Sequence, residues 1–235
     1  MRALGVSFAL GTCALLTSCI TAHGWEYGTT PKAKELDLPA CGPDALIDDG
    51  EDGDGRVLQR EGRGGYWFTF QDSEGSTIDP PAGPFKMGAP GHGSTHAARM
   101  RGHMASSGKS IYAGMGLSLA NPRGVYDASK YDGVTFWAKG PGKVRFEIPD
   151  VHTAPEGGEC KDCYNDNGVI IALESEWHKY TIRFDWLLQR PNWGDPTPGL
   201  EAAQIIALEW EFSGAGRDYD ISIDDIAFVC SGGKR

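Results

Sequence analysis

The sequence predicts an all-β fold, a β-sandwich of two antiparallel sheets in a jelly-roll arrangement. Short segments in which apolar and polar residues alternate recur roughly every ten to twenty residues, as expected for half-buried strands. Gly, Pro, Asn and Asp, which favour turns, fill the intervals between these segments. Helix-like stretches are short and lie near residues 185–189 and 200–204. Many strands without interleaved long helices indicate a sandwich rather than an α/β fold.

Each alternating segment assigns one of its faces to the core. In residues 66–70 the apolar face holds Tyr66, Phe68 and Phe70, so Trp67 and Thr69 are expected to point outward. The later segments are residues 115–119, 134–139, 144–148, 180–184, 206–212 and 221–229. Their expected outward positions include Thr135, Trp137, Arg145, Glu147, Thr181, Arg183, Glu209 and Glu211. We expect these outward side chains to share one sheet face.

The N-terminus has the features of an export signal. Arg2 precedes apolar or small residues at positions 3–16, a length that suits a signal peptide and is too short to span a bilayer. Leu16-Thr17-Ser18-Cys19 resembles the lipobox of bacterial lipoproteins, in which the cysteine is lipidated and the signal is cleaved before it. Residues 1–18 are therefore expected to be a lipoprotein signal peptide, and Cys19 the anchor. The alternative is an ordinary secretory signal that contains a cysteine.

The rest of the chain divides into a tether and one domain. Residues 19–43 carry Gly, Thr, Pro and Lys without a period and are expected to form a flexible tether. Residues 44–235 are long enough for one β-sandwich with a proper core. Ile20, not Asp, follows Cys19, and in a Gram-negative lipoprotein this implies the outer membrane. The expected location is therefore the cell envelope, with lipid-anchored attachment.

The charge of the chain limits its partners. The formal net charge is -10 at pH 7, which argues against nucleic acid and anionic lipid headgroups as ligands. After the signal, no segment approaches the roughly 20 apolar residues that a membrane span requires. We therefore expect membrane contact only through the N-terminal lipid.

Four cysteines remain once Cys13 in the signal and Cys19 are set aside. In an oxidising compartment an even number of cysteines indicates disulfides, and three pairings are possible. Cys160 and Cys163 share one polar loop, whereas Cys41 and Cys230 bracket the domain. We predict the bonds Cys160–Cys163 and Cys41–Cys230. The alternative is a zinc site of four thiolates, although only one C-x-x-C motif is present.

Two acidic patches resemble a known family. Residues 46–53 read LIDDGEDG and residues 221–228 read ISIDDIAF. These patches are similar to the opening and closing strands of galactose-binding-like sandwiches, among them the family-eleven carbohydrate-binding modules. WAKG at residues 137–140, EW-x-x-Y at residues 176–180 and the aromatic-amide run at residues 189–194 fit the same family. The resemblance implies that the opening and closing strands pair. One departure is Gly50, where relatives usually carry Phe.

The same resemblance implies a structural calcium ion near the termini of the domain. Ca²⁺ takes about six to eight oxygen ligands, which adjacent strands and loops can supply. The ligands that the family implies are Glu51 and Asp224, together with Asp49, which shares a face with Glu51. The alternative is an acidic turn in solvent that binds no ion. A second possible metal site, at His92, His96 and His103, is disfavoured because the surrounding glycines indicate a loop entering a strand.

The outward face suits a carbohydrate. A pyranose offers an apolar face for aromatic stacking and hydroxyls for planar polar side chains, and exposed Trp is costly unless it has a role. On the strands, the candidate ligand-binding residues are Trp67, Trp137, Arg145, Glu147 and Glu209. The loops add Asp150, His152, Gln189 and Trp193. The alternative is a salt-bridged face in solvent, with the two Trp side chains covered by loops.

Three functions fit these observations. The first is a tethered, non-catalytic protein that binds a polysaccharide such as a β-glucan. The second is a jelly-roll glycan hydrolase that uses Glu147, Glu209 and Glu211, since glycoside hydrolysis needs two nearby carboxylates. The third is an envelope lipoprotein that grips another protein. A groove filled by loops, without exposed aromatic side chains, would favour the third.

Overall fold

A computed structural model describes residues 36–88 and 90–230, where eleven strands form two antiparallel sheets without an α-helix. This confirms the predicted all-β jelly-roll sandwich. The predicted signal peptide and Cys19 lie outside the described residues. The strands are β1 (Leu46–Asp48), β2 (Trp67–Gln71), β3 (Thr77–Asp79), β4 (Ala98–His103), β5 (Tyr112–Ser118), β6 (Gly133–Lys139), β7 (Lys143–Ile148), β8 (Asn167–Ala172), β9 (His178–Arg183), β10 (Ala207–Ser213) and β11 (Asp218–Val229).

The two sheets have different strand orders. The six-stranded sheet runs β3-β4-β11-β6-β9, and β1 adds to β11. The five-stranded sheet runs β2-β5-β10-β7-β8. The segments predicted as helix-like contain only the short 3₁₀ turns Phe184–Trp186 and Ala202–Gln204. Within the described ranges, no helix has the length and apolarity needed to cross a membrane.

The core between the sheets is built around Trp210 of β10. Its indole stacks on Trp67 of β2 with ring centres 5.9 Å apart, and it meets Phe136 of β6 edge to face at 5.2 Å. Phe146 of β7 packs 5.4 Å from the same ring. Since Phe136 belongs to the six-stranded sheet and the other three to the five-stranded sheet, these rings join the two layers.

The opening and closing strands pair as the family resemblance implied. In β1 and β11, Leu46 lies opposite Ala227, and Asp48 lies opposite Ile226. Gly50 comes after the end of β1 and has φ +69°, a conformation that favours glycine. The position where relatives usually carry Phe is therefore a turn in this chain, not part of the strand.

Both predicted disulfides are confirmed. The Cα atoms are 5.3 Å apart in Cys41–Cys230 and 5.2 Å apart in Cys160–Cys163, within the usual range for a disulfide. The four cysteines are therefore not the ligands of a zinc site. Two disulfides are consistent with a protein of an oxidising, extracytoplasmic compartment.

The two disulfides should differ in how much they stabilise the fold. The Cys41–Cys230 bond spans 189 positions and the Cys160–Cys163 bond spans 3. A chain-entropy treatment assigns about 5 kcal/mol to the first bond and about 2 kcal/mol to the second. We expect Cys41→Ser with Cys230→Ser to lower the free energy of unfolding in urea by more than twice as much as the matched Cys160→Ser and Cys163→Ser pair. Equal losses would contradict this expectation.

Candidate functional site

The outer face of the five-stranded sheet carries an open cleft of about 810 Å³. Strand pairing arranges its floor in rows that cross the strands. One row reads Phe68, Gly116, Glu209, Glu147 and Gly168, and the next reads Phe70, Gly114, Glu211 and Arg145. Aromatic side chains therefore lie on the β2 side of the cleft, and charged side chains lie on β10 and β7.

Glycines of β5 make room for the aromatic side. A Cβ atom on Gly114 would lie 2.2 Å from Cζ of Phe70, and one on Gly116 would lie 2.9 Å from Cζ of Phe68. Any larger residue would collide with these rings. The two phenyl rings therefore rest on the backbone of the neighbouring strand and form part of the floor.

Exposed aromatic side chains border the floor. Five large apolar side chains are exposed in the described ranges, and three of them line this cleft. These three are Tyr66, Tyr164 and Trp193, with exposed fractions of 36%, 67% and 43%. Grouped apolar exposure costs free energy and is typical of a binding surface.

Three arginines each pair with a glutamate of the floor. The pairs are Arg123–Glu209 at 2.9 Å, Arg145–Glu147 at 2.8 Å and Arg190–Glu211. The guanidinium of Arg123 also lies over Phe68, 4.6 Å from the ring centre. Because these planar groups are held by charged hydrogen bonds, they form a preorganised polar surface beside the aromatic rings.

The buried carboxyl groups of the floor titrate far from their ordinary range. The pKa values of Glu147, Asp166 and Glu209 are each raised to about 8. Burial is the largest cause, because it disfavours the charged form. Nearby negative charge adds to it, from Glu211 on Glu147 and from Glu209 on Asp166. A floor of this kind can both donate and accept hydrogen bonds at neutral pH.

The loops that present Tyr164 and Trp193 are joined to one another. The amide of Asn165 donates to the carbonyls of Arg190 and Trp193, both at 2.6 Å. The carboxylate of Asp195 accepts from the backbone N–H of Lys161 at 2.6 Å, inside the loop that the Cys160–Cys163 bond closes. The two exposed aromatic side chains are therefore carried by a cross-linked loop pair.

Three of the predicted ligand-binding residues, Glu147, Glu209 and Trp193, line the cleft. The prediction that Trp67 points outward is wrong, because its side chain is only 2% exposed and stacks against Trp210. Its indole N–H donates to the buried carboxylate of Asp48. Trp67 and Thr69 therefore lie on the core side of β2, which the alternating pattern had assigned to solvent.

The expectation that Trp137 shares a face with Arg145 is also wrong. Trp137 lies on β6 in the six-stranded sheet, whereas Arg145 lies on β7 in the five-stranded sheet. Trp137 stacks on His92 with ring centres 3.5 Å apart. Thr135, Thr181 and Arg183 belong to this sheet as well. The outward positions therefore divide between two opposite faces of the sandwich.

The other predicted ligand residues support the cleft from outside its lining. Asp150 is fully buried and accepts from the backbone N–H groups of His152 at 3.0 Å and Glu201 at 2.9 Å. The ring of His152 contacts Glu159 at 2.7 Å. Gln189 binds the backbone of Asn165 and Asp195 within the joined loops. Arg145 lies beneath the floor and is 4% exposed.

Sequence reasoning missed several residues of the cleft. They are Tyr66, Phe68, Phe70, Tyr112, Arg123, Tyr164, Asp166 and Arg190. One available signal was the pair of glycines on a single face of β5, since a face without side chains fills a core poorly and leaves room for rings from the next strand. The loop residues carried no comparable pattern.

The acidic residues of the predicted calcium site bind hydrogen-bond donors of this chain. One carboxylate oxygen of Asp224 accepts from the backbone N–H of His92 at 2.6 Å and the hydroxyl of Ser94 at 2.9 Å. Glu51 accepts from the N–H of His96 at 2.7 Å, and Asp49 accepts from the N–H of Glu51 at 3.2 Å. The structural calcium stays a prediction from the resemblance.

The two-sheet jelly roll has the fold of several solved carbohydrate-binding modules. The chain is similar to the family 11 carbohydrate-binding module of cellulosomal cellulase Lic26A-Cel5E of Clostridium thermocellum, with a TM-score of 0.56 and 17% identity, over 83% of this chain and 97% of that one. A family 11 module from the same organism, in complex with a β-1,3-1,4-mixed-linked tetrasaccharide, matches with a TM-score of 0.52 and 19% identity, over 76% and 96%.

A family 30 carbohydrate-binding module also matches, with a TM-score of 0.51 and 14% identity, over 70% of this chain and 92% of that one. No protein-family model matches the sequence, and no curated protein matches it either. At these identities the similarity establishes the fold.

The close approach of Phe70 to Gly114 leads to a prediction about stability. The three atoms nearest to a Cβ atom on Gly114 all belong to the ring of Phe70, so we expect Gly114→Ala to fold but to lose about 1–3 kcal/mol of unfolding free energy. In a Phe70→Ala background the same change should cost little, because the overlap is gone. Urea denaturation of the four proteins measures this coupling. Gly64→Ala is a matched control, since a Cβ there meets only Gln59 at 3.5 Å. Additive effects would count against a direct contact.

Proposed function

We propose that this chain is a non-catalytic carbohydrate-binding lipoprotein that holds a polysaccharide, such as a β-glucan, in the cleft of the five-stranded sheet. The observation that carries the proposal is the combination of exposed Tyr66, Tyr164 and Trp193 with a polar floor in one open cleft. An open cleft can accept an internal segment of a long polymer, whereas a closed pocket accepts only a chain end or a small molecule.

The chemistry of the cleft suits sugar rings. The apolar faces of pyranoses stack on aromatic side chains, and their hydroxyls match planar groups that donate and accept. Arg123, Arg190 and Glu211 supply such groups at the floor, and each is already oriented by an ion pair. Preorganisation lowers the entropic cost of binding. The exposed aromatic side chains disfavour the alternative of a loop-filled groove that grips a protein.

A β-glucan is the preferred ligand class. Its support is the family resemblance and the structural neighbour that carries a β-1,3-1,4-mixed-linked tetrasaccharide. A polymer of flat, equatorially substituted glucose units presents repeated apolar faces along one direction. The aromatic residues of β2 and the loop aromatics on the far side of the cleft provide stacking partners at two separate places.

The proposed tether determines where in the cell this binding takes place. Lipid on Cys19 would hold the domain at the cell envelope, with the outer membrane as the proposed location. Support comes from the lipobox-like residues 16–19 and from the two disulfides of the domain. A binding domain at the envelope would keep a polymer close to the cell.

Removal of the exposed aromatic side chains should weaken glycan binding. We expect Tyr164→Ala and Trp193→Ala each to raise the Kd for mixed-linkage β-glucan about tenfold, which corresponds to about 1.4 kcal/mol of lost stacking. Isothermal titration calorimetry against a panel of soluble polysaccharides measures this effect.

The matched control is Trp137→Ala, which removes an aromatic side chain from the opposite sheet and should leave the Kd unchanged. If Trp137→Ala weakens binding as strongly as Trp193→Ala, the cleft is not the binding site. If the parent protein binds no polysaccharide on the panel, the proposed function is wrong.

A glycan hydrolase is the second candidate, favoured by the buried carboxyl groups of the floor. Glu147 and Glu209 lie opposite each other on adjacent strands, and one carboxylate oxygen of each lies within 4.8 Å of the other. Retaining glycosidases have carboxyl groups about 5–5.5 Å apart, one protonated and one ionised. Here both groups pair with arginine, and the pKa of each is raised, so the division into acid and nucleophile is not evident.

Hydrolysis has a direct test. We expect no release of reducing ends when the parent protein is incubated with mixed-linkage β-glucan over hours. Release that disappears in Glu209→Gln, while binding of the polysaccharide persists, would replace the binding proposal with an enzymatic one.

A further inference from the structure

Three buried carboxyl groups converge in the floor of the cleft. One carboxylate oxygen from each of Glu147, Asp166 and Glu209 lies within 4.8 Å of the others. Within the described ranges, this is the set of three acidic, histidine or cysteine side chains that meets this spacing. The residues come from β7, β10 and the segment just before β8, so the sandwich itself brings them together.

Among these three residues, Asp166 has a side-chain oxygen, Oδ1, that lacks a hydrogen-bond partner. The residue is only 5% exposed, and it lines the cleft. A buried carboxylate oxygen without a partner is costly. By contrast, Glu147 and Glu209 each pair with an arginine. Asp166 therefore has an oxygen available for a ligand in a carboxyl group that lies beside two others, and a positive ligand would stabilise this arrangement.

The number of charges points the same way. In the floor, the carboxyl groups are those of Glu147, Asp166, Glu209 and Glu211, and the guanidinium groups are those of Arg123, Arg145 and Arg190. Carboxyl groups therefore outnumber guanidinium groups. A cation bound among them would reduce their mutual repulsion when they ionise.

We propose that Glu147, Asp166 and Glu209 bind a calcium ion in the floor of the cleft. All three ligand atoms are carboxylate oxygens, which suit a hard cation. Ca–O distances of about 2.3–2.6 Å place ligands on opposite sides of the ion at most about 5 Å apart, in agreement with the spacing of these oxygens. This site is distinct from the predicted one at Glu51, Asp49 and Asp224, which belongs to the other sheet and the loops beside it.

The open side of the site faces the cleft. Three protein ligands leave at least three positions of a calcium ion free, and water fills them until another oxygen donor arrives. Neighbouring hydroxyls of a sugar are such donors. The ion would then connect the floor to the polysaccharide, a step that rests on the proposed carbohydrate-binding function.

Calcium binding can be tested without a glycan. The full-length chain in detergent is stripped with EDTA, dialysed and titrated with CaCl₂ in a calorimeter up to about 10 mM, above the range of extracellular calcium modules. We expect saturable binding, and a Kd raised at least tenfold by Asp166→Asn. Absence of a saturable signal, or an unchanged Kd in Asp166→Asn, overturns the proposal.

Two further variants test whether calcium binding depends on this particular site. Glu209→Gln removes a second ligand and should weaken binding as Asp166→Asn does, which covers the case in which one variant fails to fold. Asp224→Asn is the matched control, because it neutralises a buried aspartate of the other sheet. It should leave the Asp166-dependent binding intact. Loss of all calcium binding in Asp224→Asn, with Asp166→Asn unaffected, would assign the ion to the other site.

The effect of calcium on glycan binding is measured in a separate experiment. We expect the Kd for mixed-linkage β-glucan to fall when calcium is present, and Asp166→Asn to abolish this difference. Calcium binding without any effect on the glycan supports the site but overturns the connection to the sugar. Calcium binding by a protein that binds no polysaccharide contradicts the proposed function and leaves the metal site supported.

Discussion

The burial of Trp67 decides which side of β2 faces the cleft. Its indole stacks between Phe85 and Trp210, with ring centres 5.5 and 5.9 Å away, and its N–H is satisfied by the carboxylate of Asp48. Because side chains alternate along a strand, this contact forces Tyr66, Phe68 and Phe70 to the outer face. A shift of one residue would bury those rings and expose the indole. The aromatic half of the cleft therefore depends on one core contact.

The neighbouring strand, β5, has to leave room for the aromatic rings on this face. Phe68 and Phe70 lie opposite Gly116 and Gly114, where a side chain of any size would meet the rings. Glycine in a strand weakens the sheet, so its presence at two positions on one face indicates a local requirement. The core contacts of Met115 and Leu117, on the opposite face of β5, compensate for the lost side chains. In this way the packing of the core and the shape of the cleft are linked through two adjacent strands.

Alternation, turn residues and cysteine positions were sufficient for the sandwich and both disulfides, and the family resemblance supplied the pairing of β1 with β11. The sequence was not sufficient for the site. Alternation shows which residues share a face, but it cannot show which face is buried when both carry aromatics, as for Trp67 and Phe68. Alternation also cannot show which sheet a strand joins. Trp137 and Arg145 were therefore predicted to share one face, although they lie on opposite sides of the sandwich. Glu147 and Glu209 were found because charged residues seldom point into the core of a sandwich.

The described chain enters the domain on the side of the six-stranded sheet. Ala40 forms a bridge with Val229, and the N–H of Cys41 donates to the carbonyl of Phe228, so the entering segment follows the last strand of the six-stranded sheet. The cleft lies on the outer face of the other sheet. The entry point and the cleft therefore lie on different sheets of the sandwich. The Cys41–Cys230 bond fixes the entry point to β11, since it joins the two ends of the domain. In the proposed envelope-anchored protein, tension from the N-terminal side would act on this covalent link rather than on strand pairing, on the sheet opposite to the proposed binding face with Tyr164 and Trp193.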